Sequence, residues 1–255
     1  MEKDLELSGE YIQIRRRESG VLTYGGDQGF YAGGQAGSKE KRKELSGCGI
    51  IALSDILLYL ANRDQCFATE WNKSYVNRIL EQDEYQKYYD SMYEFLGGIP
   101  MKGGVSGIKL QMGFNRLARR QGWQLRSKWG LSGRRLWGRL EEMLRKDIPV
   151  IMCIPMTLLK KDKGRGLSFY KKEKEGYRKV CVVSAHYVTV TGMIREKVDG
   201  RTFLQISSWG KQYYVCKEEY DELIHTVFLG ILLGNILYIK SRKNDEQKGR
   251  INEEI

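Results

Sequence analysis

From Ser46 to Leu60 the chain reads Ser-Gly-Cys-Gly-Ile-Ile-Ala-Leu-Ser-Asp-Ile-Leu-Leu-Tyr-Leu. Ile50, Ile51, Leu53, Ile56, Leu57, Leu58 and Leu60 fall all round a helix rather than on one stripe. A helix apolar on every side belongs in the middle of a domain. Only Ser54 and Asp55 interrupt it, and Cys48 stands at its N-terminal end. Residues 66–96 read as an irregular helical stretch rich in Tyr, Asn and Gln, broken by glycines around Pro100. Val105 to Gln121 has helical spacing, with Ile108, Leu110, Met112, Leu117 and Ala118 apolar and Gly122 as its stop. A further helix is expected around Leu136, Leu140, Met143 and Leu144, with Leu131-Ser132 as its cap.

The second half has strand character. Pro149 to Ile154 reads as a buried strand, and Val180 to Met193 is strongly β-branched. Arg201 to Gly210 follows a Val198-Asp199-Gly200 turn, and Lys211–Cys216 and Leu229–Lys240 read as two more strands. Tyr11 to Ile14 is expected as a short strand in an otherwise polar N-terminal stretch. Residues 23–37 are glycine-rich loop, and Lys39 to Glu44 is expected on the surface. Helices first and strands second predict an α+β domain, with a helical half packed on an antiparallel sheet. One domain is expected over 1–240: an extension at 1–22, a helical half at about 46–146 and a sheet half at about 149–240. The tail from Ser241 is charged and expected to fray.

Composition narrows the class. Of 255 residues, 41% are hydrophobic and 29% charged, which is a globular balance. The longest apolar run, Val227 to Ile239, has 13 residues, too short to span a bilayer and expected as a buried strand or strand pair. The charged N-terminus does not resemble a signal peptide, so a cytoplasmic location is expected. The five cysteines (48, 66, 153, 181 and 216) show no CxxC spacing, and two histidines make a zinc site improbable, so no cofactor is expected. The net charge is +11. Between Lys160 and Lys179 nine Lys and Arg stand against three acids. This run reads as a solvated loop that could meet an acidic partner; a nucleic acid is the weaker reading.

Candidate chemistry centres on Cys48. A helix N-terminus favours a thiolate, and Gly47 and Gly49 would let a substrate approach the sulfur. The bland alternative is a buried cysteine acting as a small hydrophobe. A thiol nucleophile needs a base, and imidazole suits neutral pH. His186 opens a strand on which it shares a face with Val188 and Val190. His225, without strand context, ranks below it.

These residues, in order, resemble a papain-like cysteine peptidase. Cys48 opens a long apolar helix, a Pro-Val-Ile strand follows, then His186-Tyr187-Val188-Thr189-Val190-Thr191-Gly192, then Ser207-Ser208-Trp209-Gly210. The 138 residues from Cys48 to His186 match the papain-type separation. The nearest likeness is to the C39-like bacterial branch, over roughly 24–240. The resemblance implies a papain-like fold, with the cysteine helix across a cleft from a twisted sheet carrying the histidine. It implies a third member, usually Asn or Asp, at Ser207. It also implies an upstream glutamine as oxyanion donor. Arg42 occupies the papain spacing, so Gln28 is the candidate, with Gln35 behind it, and either requires 36–46 to loop out. The Cys48 backbone N–H would be the second donor.

The resemblance therefore implies an enzyme: Cys48 as nucleophile, His186 as base and acid, Ser207 as orienter and Gln28 as oxyanion donor. The substrate would be a peptide or protein, cleaved at a peptide or isopeptide bond through a thioester. The alternatives are a papain-like binding module without turnover, motivated by the serine at 207, and an acyltransferase or transglutaminase on the same fold.

Overall fold

A computed structural model describes residues 4–241 apart from 101–102, 132, 160–161, 163 and 197–198. The elements run β1 (Leu5–Glu6), β2 (Ile14–Arg15), α1 (Lys39–Ser46), α2 (Cys48–Arg63), β3 (Leu80–Glu81), α3 (Gln82–Phe95) and α4 (Gly107–Arg120). They continue with β4 (Leu125–Trp129), α5 (Leu136–Arg145), β5 (Val150–Ile154), β6 (Leu167–Glu173), β7 (Gly176–Val183) and β8 (His186–Arg195). The chain closes with β9 (Thr202–Ser208), β10 (Lys211–Cys216), α6 (Lys217–Thr226), α7 (Gly230–Leu233) and β11 (Ile236–Ser241).

The fold is α+β. One antiparallel sheet has the order β4-β11-β5-β8-β9-β10-β6-β7, with β1 added on β8. A two-stranded parallel piece joins β2 to β3. α2 runs through the centre: every residue from Gly49 to Ala61 is buried, as expected for a helix apolar all round. It packs on β8, α3 and α4. α3 presents Tyr85, Tyr88, Tyr89, Met92 and Tyr93 inward at helical spacing, and Glu81 and Glu84 form a capping box at its start. Ser106 caps α4 by accepting from the Lys109 N–H. No single helix among the described residues is long and apolar enough to cross a membrane.

Several expectations give way here. Lys39–Ser46 is helix α1, and its Lys43 is buried: the ammonium lies over the rings of Tyr31 and Tyr93 and pairs with Asp90 at 2.7 Å. The interior gains a cation because aromatic faces and a carboxylate replace its water. The basic stretch at 160–179 is mostly the β6–β7 hairpin rather than a loop; residues 160, 161 and 163 lie outside the described residues. Val180–Met193 is two strands, broken at Ser184-Ala185. Of the strand expected at Leu229–Lys240 only the part from Ile236 is strand (β11), because α7 occupies Gly230–Leu233. The strand expected at Tyr11–Ile14 is reduced to Ile14–Arg15. β4, inside the expected helical half, and β1, inside the expected extension, both join the large sheet. The tail beyond Ser241 lies outside the described residues.

Candidate active site

The N-terminus of α2 meets the starting end of β8. Cys48, the first residue of α2, keeps part of its surface open. Burial pushes its thiol above the ordinary range, a shift that the nearby backbone of Tyr187, Gly49 and Cys48 itself partly opposes. Cys48 and His186 line one narrow cleft together with Gly26, Gln28, Asp55, Tyr187, Thr189, Ser207, Ser208 and Trp209. The glycines flanking the cysteine serve packing. A Cβ on Gly49 would lie 3.1 Å from the Tyr187 ring, and one on Gly47 would lie 2.7 Å from the Tyr89 hydroxyl.

His186 is buried, at 7% exposure. Its Nε2 is 2.8 Å from Ser208 Oγ, and its ring stacks on Trp209 with centroids 4.6 Å apart and planes 26° from parallel. Burial lowers its pKa to about 4, so the imidazole is neutral at pH 7. The resting pair is therefore a thiol and a neutral imidazole, where a helix N-terminus alone predicts a thiolate. Desolvation of both partners outweighs the helix-end field.

Ser207, expected to orient the histidine, does not reach it. Its hydroxyl donates to the Tyr24 carbonyl at 2.7 Å. Register explains the exchange. Ser207 lies opposite Thr189, so it shares the face of Thr189 and Tyr187. One step along, Ser208 falls on the face of Val188 and His186. That signal was present in the alternation of β8 and β9 once the pairing is known.

Two residues in the left-handed region frame the histidine: Ala185 at φ 52° and Trp209 at φ 50°. Trp209 and Gly210 (φ 65°) form the two-residue turn of the β9–β10 hairpin, in which Ser208 pairs with Lys211. A tryptophan at positive φ is costly, and stacking on His186 and packing beside Phe169 hold it there.

Gln28 opens a 3-10 turn at Gln28–Tyr31, capped by Asp27, whose carboxylate pairs with Arg16. Its Nε2 donates one hydrogen to the Glu44 carbonyl at 2.7 Å, while its Oε1 is buried without a partner. The structure brings Gln28 to the cleft because α1 and its flanks form the excursion between it and Cys48. Gln35 is exposed, and neither it nor Arg42 lines the cleft. His225 is exposed on α6, its Nδ1 2.7 Å from the Asp221 carbonyl. Among the described residues no group of His, Cys, Asp and Glu gathers to hold a metal ion. Asp55, Ser208 and Trp209 have no site role in the sequence reading, yet each lines the cleft.

No protein-family model, curated protein or solved structure matches this chain.

Proposed function

We propose that the protein is a thiol hydrolase of papain-like, C39-like type, acting on a peptide or isopeptide carbonyl. The shared cleft of Cys48 and His186 carries this reading, because it puts a thiol and an imidazole that has its own hydroxyl partner on the walls of one opening. Ser208 occupies Nε2, which leaves Nδ1 as the base. Nδ1 takes the thiol proton as the sulfur attacks the substrate carbonyl. The oxygen that gains charge is met by the second Gln28 Nε2 hydrogen and the Cys48 N–H at the start of α2. The imidazolium returns the proton to the leaving nitrogen, the C–N bond breaks and a thioester remains. Water, deprotonated by the same nitrogen, attacks the thioester; the C–S bond breaks, the acid is released and the thiol is restored.

The experiment is acylation of Cys48 by a p-nitrophenyl ester at pH 8, followed by nitrophenolate release and by mass. The expected rate is at least a hundredfold above free cysteine, lost in Cys48→Ala. A second reading, a binding module without turnover, draws on the hydroxyl at 208, which stabilises imidazolium less than a carboxylate does. Acylation no faster than free cysteine establishes that reading and removes the first.

A further inference from the structure

The Cys48 helix carries a second buried reactive group that the steps above leave unused. Asp55 stands seven residues after Cys48, two turns along the same face of α2, and is 1% exposed at the cleft floor. Its Oδ1 accepts from the Tyr85 hydroxyl at 2.6 Å. Its Oδ2 accepts from the Gly26 N–H at 2.9 Å and the Tyr11 hydroxyl at 3.3 Å. Among the described residues no lysine or arginine pairs with it. A carboxylate enclosed among neutral donors is an expensive solution, and an apolar side chain would fill the same space at lower cost. What the carboxylate alone provides is an anchor for the backbone of Gly26, two residues before Gln28.

That anchor joins three parts of the cleft. The Tyr24–Gln28 loop is tied to α2 through Asp55. It is tied to the β9–β10 hairpin through Tyr24 N–H to Gly210 O (2.9 Å), Gly210 N–H to Gly26 O (3.1 Å) and Ser207 Oγ to Tyr24 O (2.7 Å). The same hairpin carries Ser208 and Trp209 against the histidine. The loop is pressed hard onto this network. Gly25 sits at φ 78°, and a Cβ there would collide with Ser207 Oγ and lie 2.6 Å from Asp55 Oδ2. A Cβ on Gly26 would collide with the Tyr85 hydroxyl. Two successive positions thus exclude any side chain so that the backbone can reach the carboxylate.

We propose that Asp55 is a positioning residue for the oxyanion arm: through the Gly26 amide it fixes the loop that delivers the Gln28 side chain beside the Cys48 N–H. The role rests on the hydrolase reading and extends it to a group that never touches the substrate. It assigns Ser207 a place as well, as the residue that closes the loop from the hairpin side.

Two reagents separate this role from a merely structural one. A p-nitrophenyl ester acylates Cys48 through a tetrahedral oxyanion, whereas iodoacetamide alkylates the same sulfur by displacement at carbon and builds none. The variants are Asp55→Asn, which keeps the shape but removes the charge and half of the acceptor capacity, and Gly25→Ala, whose added methyl meets Ser207 Oγ and Asp55 Oδ2 and pushes the loop off the carboxylate. In both, ester acylation falls at least tenfold while alkylation stays within twofold of the parent, since one oxyanion donor is typically worth a hundredfold or more. An unchanged ratio of the two rates in both variants overturns the proposal. An equal fall of both rates also overturns it, because Asp55 then only supports the fold. A parent protein that the ester does not acylate ends the hydrolase reading itself, and this proposal with it, a result recognised without any variant.

Discussion

α2 and the β8–β9 pair supply the two sides of one cleft, and they differ in how far along the chain their instructions reach. The sulfur is placed by a helix whose fifteen or so residues explain their own burial: apolar on all faces, it goes to the centre and carries Cys48 with it. The imidazole is placed by pairing. Its partner Ser208 lies 22 residues on, its ring support Trp209 belongs to a hairpin turn, and the opposite edge of β8 is fixed by β5, where Ile154 faces His186. A local element thus holds the thiol and a non-local one holds the imidazole. Changes among the apolar residues of the helix should act mainly through stability, and changes around the imidazole mainly through chemistry.

The largest effect expected is on the sheet side. His186→Ala removes the proposed base, and ester acylation of Cys48 by the folded fraction should drop by about a thousandfold or more. Next comes the helix side. Ile56→Ala opens a cavity at a residue with no exposed surface, and chemical denaturation should register a loss of about 2–5 kcal/mol. The acylation rate of the folded fraction should stay within twofold of the parent. If that rate falls as far as stability does, the division between the two sides is wrong.

Acidity sharpens the contrast, because each side buries one titrating group and their signs oppose. His186 has a folded pKa of about 4, below its ordinary 6.5, so the unfolded chain takes up the proton first. Its contribution is complete above pH 6.5 and is lost as pH falls toward 4. Asp55, raised by burial from 3.8 to about 6, behaves oppositely: its contribution is present below pH 4 and is lost as pH rises through 6. The groups facing Asp55 are Tyr11, Tyr85 and Tyr88, all held neutral by burial, so none titrates in this window. Each effect corresponds to about 3 kcal/mol. The parent should therefore show a nearly flat melting temperature between pH 4 and 6. His186→Gln should become more stable on acidification and Asp55→Asn less stable. Parallel slopes in the two variants would contradict the opposed burial of the pair.

The smallest effect tests register. Ser208→Ala removes the hydroxyl at Nε2 and should slow acylation about tenfold, the worth of one buried hydrogen bond. Ser207→Ala should cost less, since its hydroxyl meets a loop carbonyl and not the ring. A larger loss at 207 than at 208 in iodoacetamide alkylation, which needs no oxyanion arm, would place the wrong serine beside the histidine.

Much of this architecture was legible before folding. The Cys48 helix, the amphipathic α4 and α5, the β5 strand and the division into helices and sheet follow from periodicities of 3.6 and 2 that each segment carries within itself. The basic hairpin at 167–183 was hidden because its exposed, charged residues look like those of a loop, and only its pairing with β10 reveals the strands. α6 was hidden between two apolar stretches that resemble strands.

Short segments of the chain suffice to specify a cysteine at the start of a central helix, a histidine at the start of a buried strand, and a glutamine upstream in a glycine-rich loop. Tertiary structure alone decided that Ser208 and not Ser207 meets the imidazole, that the thiol and the ring rest uncharged, and that Asp55 ties the loop of Gln28 to the helix of Cys48. The reason is range. Helical burial is set within a few turns, whereas which serine faces a ring depends on a register between strands, and protonation depends on how much water the whole fold excludes.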